Sequence, residues 1–165
     1  MNVSNIIVPM FAASFLFWLP TAQALNNFSP RSIEGNYVAV AIEQGGGTSM
    51  GAALPEAALI ELTCNGKGSC DGTLLWNMPH PADPTGDRLT INKKPVTAEY
   101  GVDKKGFGFM RVYADLTSVG MGQMTIKLRF LITGATPNKM ATEMHYIGSH
   151  YLPGGAYPVG FMKLR

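Results

Sequence analysis

The stretch IELTCNGKGSCDGTLLW, residues 60–76, contains both cysteines of the chain and has the pattern of two strands joined by a turn. Before the turn, apolar Ile60 and Leu62 alternate with polar Glu61 and Thr63. After the turn, apolar residues again fall at alternate positions. This period of two predicts strands with one face on a core and the other in water. The intervening residues favour turns, so the stretch predicts a β-hairpin.

The two cysteines, Cys64 and Cys70, fall where the hairpin strands leave and enter the turn. Directly opposed residues of antiparallel strands lie at a separation that a disulfide spans. A thioredoxin-type motif has two residues between its cysteines, whereas this spacer has five. A structural zinc site needs four ligands. We therefore expect a Cys64–Cys70 disulfide and an oxidising compartment, with a reactive or metal-binding role as the alternative.

The first 24 residues have the order of segments found in a secretory signal peptide. An apolar block spans residues 6–19 and is followed by Pro20 and the small-residue pattern Ala22-Gln23-Ala24. The block is shorter than the roughly 20 residues that a membrane helix needs. We expect a signal peptide at 1–24 with cleavage after Ala24, which leaves residues 25–165 as one secreted or periplasmic domain.

The charge of the chain is nearly balanced. Its formal net charge is +2 at pH 7, with 13 basic and 11 acidic residues. A dedicated nucleic-acid binder has a dense basic stripe, so no nucleic-acid partner is expected. We find no later apolar stretch long enough to cross a membrane as a helix, and therefore expect no membrane span after signal cleavage.

Alternating apolar and polar residues recur along the rest of the chain, separated by Gly, Pro, Asn and Asp. The clearest segment is MTIKLRFLIT, residues 124–133. Outside the hairpin, strands are predicted at residues 35–42, 95–102, 107–115, 124–133, 139–147 and 157–164. Closure into a barrel removes the exposed edges of such a meander. The sequence thus predicts an all-β fold, an antiparallel up-and-down β-barrel of about eight strands, with a β-sandwich as the alternative.

Several turn-glycine segments resemble a pattern found in secreted bacterial β domains of unknown function. The matching residues are Gly35-Asn36-Tyr37, the 64–68 turn with Gly72, and Tyr100-Gly101-Val102-Asp103 with Gly106-Phe107-Gly108. The opening Gly-x-Tyr is also similar to the Gly-x-Trp start of lipocalin-type (calycin) barrels, with Tyr in place of Trp. The resemblance implies a secreted, lipocalin-like barrel and brings no catalytic residues with it.

Aromatic residues and one arginine are the candidates for a ligand-binding wall. They are Tyr37, Trp76, Tyr100, Phe109, Arg111 and Tyr113. An arginine among aromatic rings can stack on them or orient an anionic group. The alternation of the fifth strand leaves open whether Phe109, Arg111 and Tyr113 face inward or outward. Residues 78–94, which are rich in proline, form a candidate lid with a possible short strand at LTIN.

The sequence has no Gly-x-Ser-x-Gly motif or other hydrolase signature. No cofactor and no metal site are expected. The favoured function is binding of a small apolar or amphipathic molecule. One alternative is a barrel enzyme that resembles cyclases or isomerases of the allene oxide cyclase type, in which the shape of an apolar cavity does most of the work. Another is a structural or interaction protein that uses the aromatic segment at 148–157.

Overall fold

The computed structural model describes residues 27–44, 56–79, 88–149 and 157–165. Short 3-10 helices occupy Pro30–Ser32 and Thr117–Val119. The strands are β1 (Glu34–Gln44), β2 (Glu56–Asn65), β3 (Ser69–Pro79), β4 (Arg88–Val102), β5 (Phe107–Leu116), β6 (Gly122–Ala135), β7 (Ala141–Gly148) and β8 (Tyr157–Leu164). Among the described residues, none of the helices has the length and apolar character needed to span a membrane.

The eight strands form one closed barrel in which each strand pairs antiparallel with the next. The last strand, β8, returns to β1, so that Tyr37 lies opposite Leu164 and Ile42 opposite Val159. Closure satisfies the ladder hydrogen bonds that an open sheet would leave exposed at its edges. The structure confirms the predicted up-and-down barrel over the β-sandwich.

The barrel interior is filled by large side chains set opposite glycines. Gly72 faces Leu62 across β2 and β3, and Gly160 faces Tyr146 across β7 and β8. A Cβ on Gly72 would collide with the backbone oxygen of Glu61, and one on Gly160 would lie 2.7 Å from the Tyr146 hydroxyl. Pairing small with large residues fits the side chains of an eight-stranded barrel into a narrow lumen.

The segment before β1 closes one end of the barrel. Phe28 and Ile33 are buried there, and the Phe28 ring lies 3.0 Å from where a Cβ on Gly106 would be. The Tyr100 hydroxyl donates to the backbone oxygen of Ile33 at 2.7 Å and to that of Pro30 at 3.1 Å. The polar backbone of the segment is therefore paired inside the barrel end that it covers.

β4 is longer than the sequence predicted, because LTIN is its first half and not a separate strand. Lys93 adopts a positive φ of 48° where the pairing of β3 and β4 shifts between Leu74 and Trp76. Such an irregularity interrupts the alternation on which the strand prediction rested. The predicted lid at 78–94 was therefore too wide, and its remaining part, 80–87, lies outside the described residues.

The proposed signal peptide also lies outside the described residues.

β5 turns its aromatic side outward. Phe107, Phe109 and Arg111 are exposed, whereas Met110 and Val112 are buried in the core. This settles the orientation that the alternation of the fifth strand left open.

Candidate functional site

The two ends of the barrel are built differently. The N-terminal segment and the tight turns after β2, β4 and β6 lie at the closed end. The connections from β1 to β2, β3 to β4 and β7 to β8 leave the opposite end, which we call the loop end. Where a barrel of this size binds a small ligand, the site lies in its lumen or at its mouth.

A small cavity lies inside the barrel in the half nearer the loop end. Its volume, measured as the space open to the centre of a water molecule, is about 20 Å³. It is lined by Ala41, Ala58, Ile60, Leu74, Trp76, Ile126, Leu128, Tyr146 and Pro158. One water needs roughly 10–15 Å³ on this measure. The cavity thus admits one small chemical group and not a whole drug-sized molecule.

Trp76 contributes an unusual polar group to this cavity. The side chain is buried, and its indole Nε1 has no hydrogen-bond partner among the described residues. A buried donor that is left unpaired costs about 1–3 kcal/mol, and native structures contain few of them. The arrangement can supply one hydrogen bond to an acceptor that enters the cavity.

The other cavity walls limit what that acceptor is. Apart from Trp76 and Tyr146, all of the lining side chains are apolar. Trp76 and Tyr146 give the cavity two polar groups, the minimum that a buried water needs, and the Trp76 N–H can equally donate to one acceptor atom of an apolar molecule. The lining also disfavours a carboxylate, because a buried negative charge needs a cation beside it. The lining therefore matches a neutral oxygen such as a ketone or an ether.

Tyr37 and Tyr100, two of the predicted wall residues, lie inside the barrel at the closed end. The Tyr37 hydroxyl donates to the backbone oxygen of Ala141 at 2.9 Å, and that of Tyr100 donates to the N-terminal segment. Burial raises the pKa of Tyr37 to about 12 and raises the pKa of Tyr100 as well. Both phenols thus remain protonated donors to backbone carbonyls and help to hold the closed end together.

Phe109, Arg111 and Tyr113 lie on the outer surface and are not brought together with Trp76. The Arg111 guanidinium lies 5.6 Å from the centre of the Phe109 ring. The Tyr113 hydroxyl donates to Glu99 at 3.1 Å. The six predicted wall residues are thus divided among the cavity, the closed end and the outer surface.

Tyr113 borders an open outer groove of about 300 Å³ on β4, β5 and β6. Its other lining residues include Thr97, Asp115 and Gln123. Hydrogen bonds from Thr117 lower the pKa of the Asp115 carboxyl, so Asp115 is ionised at neutral pH. The groove is wide enough for a small molecule, but none of its side chains is a buried polar group left without a partner in the described structure.

Of the nine described cavity residues, only Trp76 was identified from the sequence as part of a site. The other eight include Ile126, Leu128 and Tyr146. The first two lie on the apolar phase of MTIKLRFLIT, so the alternation placed them in the core without marking them as part of a site. Tyr146 carries no special signal in the sequence. It becomes part of the cavity because Gly160, on the next strand, leaves room for its ring.

Cys64 and Cys70 form the expected disulfide, with an S–S distance of 2.07 Å. They are paired directly across β2 and β3, and both are buried. Within the described ranges, no group of three or more His, Cys, Asp or Glu residues could hold a metal ion.

The chain was also compared with known protein families, curated proteins and solved structures, and it matches none of them.

Proposed function

We propose that this barrel binds a small, neutral, mainly apolar molecule at its loop end, with an acceptor oxygen of the ligand bonded to Trp76 Nε1. The unpaired indole N–H at an apolar cavity is the observation that supports this proposal. Because the cavity has only about 20 Å³, the acceptor group enters it and the rest of the ligand extends towards the loops. Shape and apolar contact supply most of the affinity, and the hydrogen bond supplies selectivity.

We also propose that the protein works in an exported compartment. The buried Cys64–Cys70 disulfide supports this, since such bonds persist mainly in oxidising environments. The signal-like pattern of residues 1–24 supports it as well.

The test uses two probes of the same shape, a cyclic ketone and the hydrocarbon in which a methylene replaces its oxygen. We expect the ketone to bind about 2–12 times more tightly, because one hydrogen bond contributes about 0.5–1.5 kcal/mol. Trp76 is the only tryptophan after the predicted signal peptide, so its fluorescence reports on this site directly. Affinities are checked by calorimetry on exported protein, whose intact mass shows whether cleavage occurred after Ala24.

The variant Trp76→Phe keeps an aromatic ring but removes the donor. It is expected to bind both probes with similar affinity. The matched control is Phe109→Leu, an aromatic replacement on the outer surface, which should keep the preference for the ketone. The proposal fails if neither probe binds, or if Trp76→Phe retains the preference. Recovery of a chemically altered probe would favour the cyclase or isomerase alternative.

A further inference from the structure

Six large apolar side chains lie near one another on the outside of β5 to β8, and exposed Ile42 on β1 lies directly opposite one of them, Val159. The six are Phe107, Phe109, Leu131, Ile147, Val159 and Phe161, and we call this surface the apolar outer face. All are exposed, Phe107 by 57% and Ile147 by 53%. Together they present on the order of 500 Å² of apolar area, which is near the upper end for the largest patch of a monomeric protein.

The strand register shows that these side chains are neighbours. One row across the barrel runs from Phe107 through Leu131 and His145 to Phe161. The next row towards the loop end runs through Phe109, Arg129, Ile147 and Val159 in the same way. The apolar outer face is therefore two adjacent rows across four strands, interrupted by one histidine and one arginine.

Three cations form what we call the basic edge. Arg129 lies within the second row, and Arg111 and Lys127 form the next row towards the loop end. Arg111 lies directly opposite Lys127, and Arg129 directly opposite Phe109. The ion pairs found in the described part of the chain include none of the three. Glu99 lies opposite Arg111 on β4, but its carboxylate accepts a hydrogen bond from Tyr113.

The remaining acidic group of the face, Glu143, is already neutralised. Its carboxylate lies 3.1 Å from Lys163 Nζ and 2.9 Å from His145 Nε2. Hydrogen bonds from Lys163 and then His145 lower the pKa of Glu143, so it stays ionised and paired. A second copy of the chain packed on this face would bring two basic edges, six cations in all, against two Glu99 carboxylates. Most of these cations would then be buried without a partner, which is unfavourable.

We propose that the apolar outer face and the basic edge form a docking surface for an anionic lipid membrane. In a membrane, lipid phosphates lie next to acyl chains. On this surface the cations, which would meet the phosphates, lie next to apolar side chains, which would meet the acyl chains. Arginine and lysine can keep their charged ends at the phosphates while their stems cover apolar area. Membrane attachment of this kind draws on both apolar burial and attraction to anionic lipid. The inference is independent of the ligand proposed for the cavity.

The test is co-sedimentation of the exported protein, its intact mass checked as above, with vesicles of phosphatidylcholine alone or mixed with phosphatidylglycerol. We expect binding to the mixed vesicles, with an affinity that falls as salt concentration rises. Lys127→Gln combined with Arg129→Gln should weaken binding about 25-fold, since each cation near an anionic surface is worth roughly fivefold. Phe107→Ser combined with Ile147→Ser should weaken it at least about tenfold through lost apolar burial.

The matched control is Leu75→Ser. Leu75 is another exposed apolar residue, but it lies on β3, away from the apolar outer face, so its replacement should leave vesicle binding unchanged. Circular dichroism shows that each variant is folded. The proposal is overturned if the wild-type chain binds neither kind of vesicle, or if the basic-edge and apolar variants bind as it does. Light scattering tests the other occupant. If the chain forms a dimer that Phe107→Ser and Ile147→Ser dissociate, and it does not bind vesicles, the face is assigned to contact with a second copy.

Discussion

At the scale of single residues, the Tyr37 hydroxyl links the stability of the barrel to alkaline pH. Burial, with a smaller contribution from Tyr100, raises the pKa of Tyr37 from 10.0 to about 12. In the unfolded chain this proton is lost near pH 10. The stabilisation is therefore complete below about pH 10, and the free energy of unfolding falls as the pH rises from 10 towards 12.

Tyr37→Phe removes this ionisation, so its free energy of unfolding should fall less steeply above pH 10 than that of the wild-type protein. At neutral pH the variant should be less stable by about 1 kcal/mol, because the hydrogen bond to the Ala141 carbonyl is lost. Urea unfolding at a series of pH values measures both effects. Tyr113→Phe, on the outer surface, is the control and should follow the wild type. Equal slopes for Tyr37→Phe and wild type would refute the assignment.

Residue-level features of the site were only partly predictable from sequence. Trp76 was selected as a candidate because it is a large aromatic residue on the apolar phase of a strand. Its unpaired N–H depends on which acceptors the neighbouring strands bring near it, and strand pairing is a long-range property. The position of Arg111 was likewise undetermined, because both phases of β5 contain apolar residues and alternation alone does not choose between them.

At the scale of elements, the β2–β3 hairpin combines a tight turn with a buried disulfide. Asn65 supports the turn, since its side-chain oxygen accepts hydrogen bonds from the backbone N–H groups of Lys67 and Ser69. The sequence predicted this hairpin and its pairing because all the required signals are local. The irregular start of β4 was missed, because a positive φ at Lys93 leaves no mark on the residue type.

Replacing both cysteines, Cys64→Ala with Cys70→Ala, should lower the free energy of unfolding by about 2 kcal/mol. The loop that the disulfide closes is short, so the entropy that it removes from the unfolded chain is at the low end of the usual range. Denaturant unfolding measures the change. The control Asp71→Asn alters an exposed neighbour of Cys70 and should change stability by no more than about 0.5 kcal/mol. An unchanged midpoint in the double variant would show that the disulfide does not stabilise the fold.

At the scale of the whole molecule, closure requires both the β1–β8 seam and the segment that covers the closed end. The barrel class and the approximate number of strands could be predicted, because turn residues divide the chain into short alternating segments. The covering role of residues 27–33 could not, since so short a segment has no periodicity. Only the folded barrel shows that Phe28 packs against Gly106.

Phe28→Ala should destabilise the barrel by about 3–5 kcal/mol, because it removes a buried ring and leaves a cavity at the closed end. Thermal and urea unfolding measure the loss. The matched control is Phe107→Ala, the same change at an exposed position, for which we expect about 0.5 kcal/mol or less. Similar losses for the two variants would contradict a covering role for the N-terminal segment.

The seam between β1 and β8 also determines how the molecule responds to force. β1 begins and β8 ends at the same end of the barrel, where the Arg165 amide donates to the Asn36 carbonyl at 2.8 Å. A pull on the two ends of the described chain first withdraws the N-terminal segment. The force then acts on the antiparallel β1–β8 ladder from one end, so the hydrogen bonds of the ladder break one after another. We therefore expect the barrel to be mechanically weak along the line that closes it, although every strand has a paired neighbour on both sides.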